Sequence, residues 1–113
     1  MRRTLGDTHP STLFCIENFA SVLEARGKLN EAELLLREAL EGRRRTMGNT
    51  HPLTLFGIAK LASLLKEQGK IIEALELYTE GVQGHQSILG DTHPLTLACQ
   101  AELMKFLQGL GAL

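Results

Sequence analysis

Three Thr-His-Pro triplets, at 8–10, 50–52 and 92–94, place His9, His51 and His93 at intervals of 42 residues. Histidine is both a metal ligand and a proton-transfer group near neutral pH, so its recurrence first suggests chemistry. Spacing argues against a shared metal. Equivalent residues in successive helix pairs lie about 10 Å apart, whereas a zinc ion needs each ligand about 2 Å away. His85 stands alone in a polar stretch. Glu31, Glu33, Glu38 and Glu41 read as an exposed helical stripe, and Glu38 with Glu80 as surface charge rather than an acid pair. No Ser-His-Asp or Cys-His grouping and no glycine-rich phosphate loop occurs. The expectation is a protein with no catalytic residues, no metal and no cofactor. The triplets serve structure instead. Thr8, Thr50 and Thr92 are expected to cap helix starts, with proline in the first turn and histidine packing across the joint.

The remaining reactive groups read similarly. Cys15 and Cys99 lie in different copies of the repeat and form no disulfide framework, so both are expected to be buried thiols. Arg43, Arg44 and Arg45 form the one basic cluster, expected to favour a helix C-terminus and solubility. Twelve basic against thirteen acidic residues give a net charge of −1. That balance supplies no field for nucleic acid or an anionic membrane, making nucleic acid an unlikely partner. A hydrophobic content of 43% with 22% charged residues fits a globular chain. No apolar run is long enough to span a bilayer, and "MRRTLGDTHP" lacks the apolar centre of a secretory signal. A cytoplasmic location is expected.

The elements that carry these residues follow from the repeat. Residues 5–46 and 47–88 share 18 identities over 42 positions without a gap. After Pro10, apolar residues fall at Leu13, Ile16, Phe19, Ala20 and Leu23, the spacing of an amphipathic helix. Gly27-Lys28 interrupts, and Leu29, Ala32, Leu35, Leu36, Ala39 and Leu40 restore the period. The next copy repeats the plan with Leu55, Ile58, Leu61, Ala62 and Leu65. It then breaks at Gly69-Lys70 and resumes with Ile71, Ala74, Leu77, Tyr78 and Val82. A third begins with Leu97, Leu103, Met104 and Leu107. The pattern predicts helices over 9–26, 30–46, 52–68, 71–87 and 94–108. Ala20, Ala32, Ala62 and Ala74 allow close helix approach, while Gly27 and Gly69 suit a left-handed helix end. Short links force antiparallel hairpins, which must stack to cover their apolar surface.

The chain resembles the tetratricopeptide repeat family in its 42-residue kinesin light chain-like form. The resemblance rests on Leu-Gly-x-x-His-Pro-x-Thr-Leu, on Phe-Ala-x-x-Leu at 19–23 and Leu-Ala-x-Leu-Leu at 61–65. Gly-Lys at 27–28 and 69–70, Glu-Ala-Glu at 31–33 and Glu-Ala at 73–74 complete it, with Ala-Leu-Glu at 39–41. It implies an all-α fold, a right-handed solenoid of antiparallel helix hairpins. The whole chain, 1–113, reads as one repeat domain. It comprises the tail of a preceding helix at 1–4, repeats at 5–46 and 47–88, and a partial repeat at 89–113.

By the same resemblance the first helix of each hairpin lines a concave peptide-binding surface. Carried over by position, the groove comprises Phe14, Glu17, Asn18, Ser21 and Glu24, then Phe56, Ala59, Lys60, Ser63 and Lys66. The third copy adds Ala98, Ala101, Glu102, Lys105 and Gln108. Asn18 keeps the asparagine that bonds a ligand backbone in the kinesin light chain type, and Lys60 and Glu102 replace it in later copies. The implied function is a non-enzymatic adaptor for a protein or peptide ligand, an acidic one in particular, held by Asn18, Lys60 and Lys105. The alternative is a structural or self-associating fragment of a longer array. Arg2-Arg3-Thr4 matches Arg44-Arg45-Thr46, and the third copy stops after one helix. Both ends therefore read as uncapped, and a homo-oligomer through them is an expected alternative partner.

Overall fold

The links between helices set the architecture. In the computed structural model, which describes residues 10–111, Gly27 and Gly69 lie at φ 80° and 83°. The Gly27 amide donates to the Glu24 carbonyl and the Lys28 amide to the Leu23 carbonyl, at 3.0 and 2.9 Å. Gly69 and Lys70 repeat this with Lys66 and Leu65. This double bond pattern satisfies the last free carbonyls of a helix and reverses the chain. Two tight hairpins result: α1 (Pro10–Ala25) with α2 (Leu29–Met47), and α3 (Pro52–Gln68) with α4 (Ile71–Leu89). A fifth helix, α5 (Pro94–Gly109), follows. Each helix packs on the next, α1 on α2 through to α4 on α5. Hairpins thus stack into a solenoid, and no strand occurs among the described residues.

The joints between hairpins correct one expectation. The residue before each proline, not the threonine, caps the helix: His51 Nδ1 accepts the Leu53 amide and His93 Nδ1 the Leu95 amide, both at 3.1 Å. Thr50 and Thr92 are exposed. An imidazole with its proton on Nε2 offers the same acceptor as a hydroxyl at this position. Thr54, one turn later, donates its hydroxyl to the Gly48 carbonyl at 2.7 Å and closes the joint from within. Thr8 and His9 lie outside the described residues.

The core is aliphatic. Ala20, Ala32, Ala62 and Ala74 are fully buried, and Leu36, Leu40, Leu55, Ile58, Leu61, Leu64 and Leu65 fill the space beside them. Tyr78 and Phe106 close its far end with rings 5.4 Å apart, tilted at 60°.

Phe19, expected inside, is 55% exposed, although its counterpart Leu61 is buried. The helical period places both on one face, but α2 covers that face of α3 and no described helix covers it on α1. Leu97 and Met104 are exposed for the mirror-image reason, since no described helix follows α5, whereas Phe106, outside the apolar pattern of the third copy, is buried against α4. Cys15 is exposed rather than buried, and Cys99 half-buried.

Candidate functional site

Lys60 is held by two contacts on the face formed by α1, α3 and α5. Its Nζ donates to Ser21 Oγ at 2.7 Å and lies 5.6 Å from the centre of the Phe56 ring. Ser21 in turn donates to the Glu17 carbonyl. Together these contacts fix an ammonium beside an exposed aromatic, a weak but oriented attraction. Phe14 and Phe56 are 59% and 53% exposed. They occupy equivalent positions one copy apart. Asn18, Ser63, Lys66, Glu102 and Lys105 are all exposed, and Ser63 also meets the Tyr78 hydroxyl, whose acidity is lowered chiefly by burial.

A second cluster forms where α3, α4 and α5 converge. Lys66, Glu102 and Lys105 share an open cavity of about 410 Å³ with Ile71, Phe106 and Leu110. The Lys66 ammonium sits 5.6 Å from the centre of the Phe106 ring. Two cations and one carboxylate thus surround an apolar floor, a combination suited to an anionic group attached to a hydrophobic one.

Glu17 departs from the groove reading. It is 4% exposed, turned inward onto Arg43, which is itself 2% exposed. Arg43 Nη2 and Nε donate to the two Glu17 oxygens at 2.8 and 3.3 Å. Gly57 lies beside this pair, where an added Cβ would make only an ordinary contact, 3.7 Å from Glu17 Oε2. The arginine cluster therefore dissolves as a patch. Arg43 is buried, Arg44 makes bidentate bonds to Glu80 at 2.6 and 2.9 Å, and Arg45 meets Glu41 at 3.6 Å. Glu33 is likewise no part of an exposed stripe. Burial disfavours its charge, yet Lys70 and Arg37 bond it and hold its carboxyl below the usual range.

At the last turns of α1 and α3, Glu24 and Glu67 come within hydrogen-bonding reach. The bond to Glu67, with burial and the neighbouring negative charge, raises Glu24 to about 7, against the opposing pull of Lys60. Two carboxyls that close share a proton more readily than they both ionise. Glu67 carries no periodic signal; Ala25 stands at its place in the first copy, so the pairing is invisible until the hairpins are stacked.

Cys99 and His85 approach each other without forming a reactive pair. Cys99 Sγ lies 3.3 Å from His85 Nδ1, which also lies 2.9 Å from the Gly81 carbonyl. That carbonyl requires the proton on Nδ1, so the imidazole cannot act there as a base towards the thiol. Burial and the Glu102 charge push the Cys99 thiol up, away from the reactive thiolate. Among the described residues no group of three or more His, Cys, Asp or Glu could hold a metal ion, and no helix is long and apolar enough to cross a membrane.

Comparison with known proteins agrees with the fold. The family model for the tetratricopeptide repeat matches residues 13–84. The kinesin-light-chain-type TPR-like repeats of Podosopora anserina superpose with a TM-score of 0.85 and 32% identity, over 97% of this chain and 52% of that one. A single-substitution variant of the same repeats gives 0.84 and 31%, with the same coverage. The chain thus spans about half the length of these relatives. BtubC from P. vanneervenii shares the fold, with a TM-score of 0.79 and 16% identity, over 96% of this chain and 42% of that one. None of the curated proteins matches the chain.

Proposed function

The chain belongs to the tetratricopeptide repeat family, whose members are non-catalytic scaffolds, and we propose that it binds an acidic peptide or partner helix on the face of α1, α3 and α5. The observation that carries this reading is the fixed Lys60 ammonium beside exposed Phe56, with Lys66 and Lys105 converging on one cavity further along. An extended segment laid across Asn18, Lys60 and Lys105 meets an amide and two cations. Aromatic and aliphatic surface lies between them. Glu17 takes no part, because its carboxylate is committed to Arg43. A cytoplasmic setting accompanies this role. The repeat division at 5–46, 47–88 and 89–113 is the one we propose for the array.

The test is fluorescence anisotropy with a labelled peptide of alternating glutamate and leucine, compared with its lysine counterpart. Lys60→Ala with Lys105→Ala is expected to weaken the glutamate peptide by roughly tenfold, the loss of two exposed charge contacts. Unchanged affinity sinks the proposal.

A second reading, self-association, has its own observation. Phe19 and Val22 are 55% and 47% exposed, while Leu61 and Leu64 at the equivalent positions are buried. On this reading a second copy covers that face of α1. Light scattering that gives a monomer mass at high concentration removes it.

A further inference from the structure

The two joints of the solenoid are not equally secured. At the first, Thr54 bonds the Gly48 carbonyl and Arg44 bonds Asn49. Polar side chains also tie the first hairpin to the second: Ser21 to Lys60, Asn30 to Gln68, Glu33 to Lys70, Arg37 to Glu73 and Arg44 to Glu80. One copy later the chain has Ile72, Leu75, Thr79 and Gln86 where Asn30, Glu33, Arg37 and Arg44 stand. Among the described residues no ion pair joins α4 to α5. Their one side-chain hydrogen-bond contact is Cys99 Sγ to His85 Nδ1, at 3.3 Å, and thiols bond weakly.

Thr96 shows the consequence. It is fully buried like its counterpart Thr54, yet its hydroxyl finds no partner in the protein. A buried hydroxyl left unpaired costs stability. What holds α5 is apolar. The buried Phe106 ring lies 5.4 Å from that of Tyr78, and Leu103 packs against the core beside it. α5 packs chiefly on α4, whereas α3 is held between α2 and α4. A helix with one packed neighbour and few polar ties belongs to the least stable part of a fold.

This same helix completes a binding cavity. Lys66 and Ile71 form one wall of the open space of about 410 Å³, and α5 supplies Lys105, Phe106 and Glu102 to the other. Docking thus brings the Lys105 ammonium towards that of Lys66, two like charges that repel. Glu102 offsets one of them. An anionic group between the lysines turns the remaining repulsion into attraction.

We propose that α5 is a docking arm, which opens from α4 as a unit while the two hairpins stay folded, and which an acidic segment bound across Lys66 and Lys105 holds closed. The proposal rests on the acidic-peptide reading of the α1, α3, α5 face and adds its regulation. A ligand that binds only the docked form stabilises that form by mass action. Conversely, the open form lacks the cavity, so affinity falls with the docked fraction. Whatever loosens α5 therefore weakens the ligand.

The experiment is hydrogen exchange read by mass spectrometry on the full chain, free and saturated with the labelled glutamate-leucine peptide. In the free chain the α5 amides are expected to exchange at least about tenfold faster than those of α3, after correction for intrinsic rates. The peptide should slow α5 by about tenfold and leave α2 unchanged. Two substitutions should move docking in opposite directions. Phe106→Ala should speed α5 exchange without altering α1 and α2. Thr96→Val, which removes the unpaired hydroxyl, should slow it. Lys66→Ala keeps the Lys60 contact and should retain weakened binding without protection of α5. Exchange of α5 in step with α3 overturns the proposal. So does a bound peptide that leaves α5 exchange unchanged, or one that protects α5 equally in the Lys66→Ala variant. A peptide that binds nowhere on the chain removes the peptide-face reading itself, and the coupling with it.

Discussion

Arg43 on α2 and Glu17 on α1 form a two-bond ion pair that is almost wholly buried, at 2% and 4% exposure. Burial removes both charges from water, so neither partner tolerates loss of the other. Glu17→Ala is expected to cost about 3–5 kcal/mol, because it leaves an unpaired guanidinium inside. The second hairpin solves the same position differently, with Ala59 and with His85 beside the Gly81 carbonyl. Adding Arg43→His to Glu17→Ala copies that solution and should recover a good part of the stability. Urea denaturation of the single and double variants checks the order.

Glycine within helices gives a paired prediction. A Cβ at Gly84 would lie 2.5 Å from Leu55 Cδ2, so the side chain of Leu55, itself buried in the core, must shift. Gly84→Ala should therefore destabilise by about 1–3 kcal/mol, the cost of overpacking. At Gly81 the nearest atom is Ile58 Cγ2, at an ordinary 3.7 Å. Gly81→Ala should instead stabilise by about 0.5–1 kcal/mol through reduced backbone entropy. Thermal melts of the two variants should move in opposite directions.

The joint histidine is predicted to behave as a cap. His51→Ala removes the acceptor for the Leu53 amide and should cost about 0.5–2 kcal/mol. His51→Ser restores an acceptor and should regain most of that loss. Equal stability of the alanine and serine variants would contradict the capping role.

Glu24 predicts a pH dependence. Its carboxyl is raised from 4.5 to about 7 by the bond to Glu67 and by burial. Between those values the folded chain holds a proton that the unfolded chain has released. The contribution is thus full below about pH 4.5 and is lost as pH rises through about 7. Glu24→Gln keeps a neutral donor beside Glu67 and should flatten the dependence in that window. Melting temperatures at about pH 5 and about pH 8 for both proteins provide the comparison.

What the sequence determined by itself is the repeated, local part of the molecule. Period and glycine placement locate the helices to within a few residues, since each depends on neighbours a few positions away. Ala20, Ala32, Ala62 and Ala74 announce the close contacts for the same reason. The tertiary structure decided which copy of a position is covered and which side chain reaches across. Phe19 and Leu61 share a phase, yet a neighbouring helix covers Leu61 and leaves Phe19 exposed. Glu17 reads as a polar groove residue until Arg43, far away in sequence, turns it inward. Arg37 and Arg44 read as solvated charge until stacking sets Glu73 and Glu80 opposite them. Periodicity reports the face of a helix, but burial and pairing depend on what packs against that face, and that is settled only when the hairpins stack.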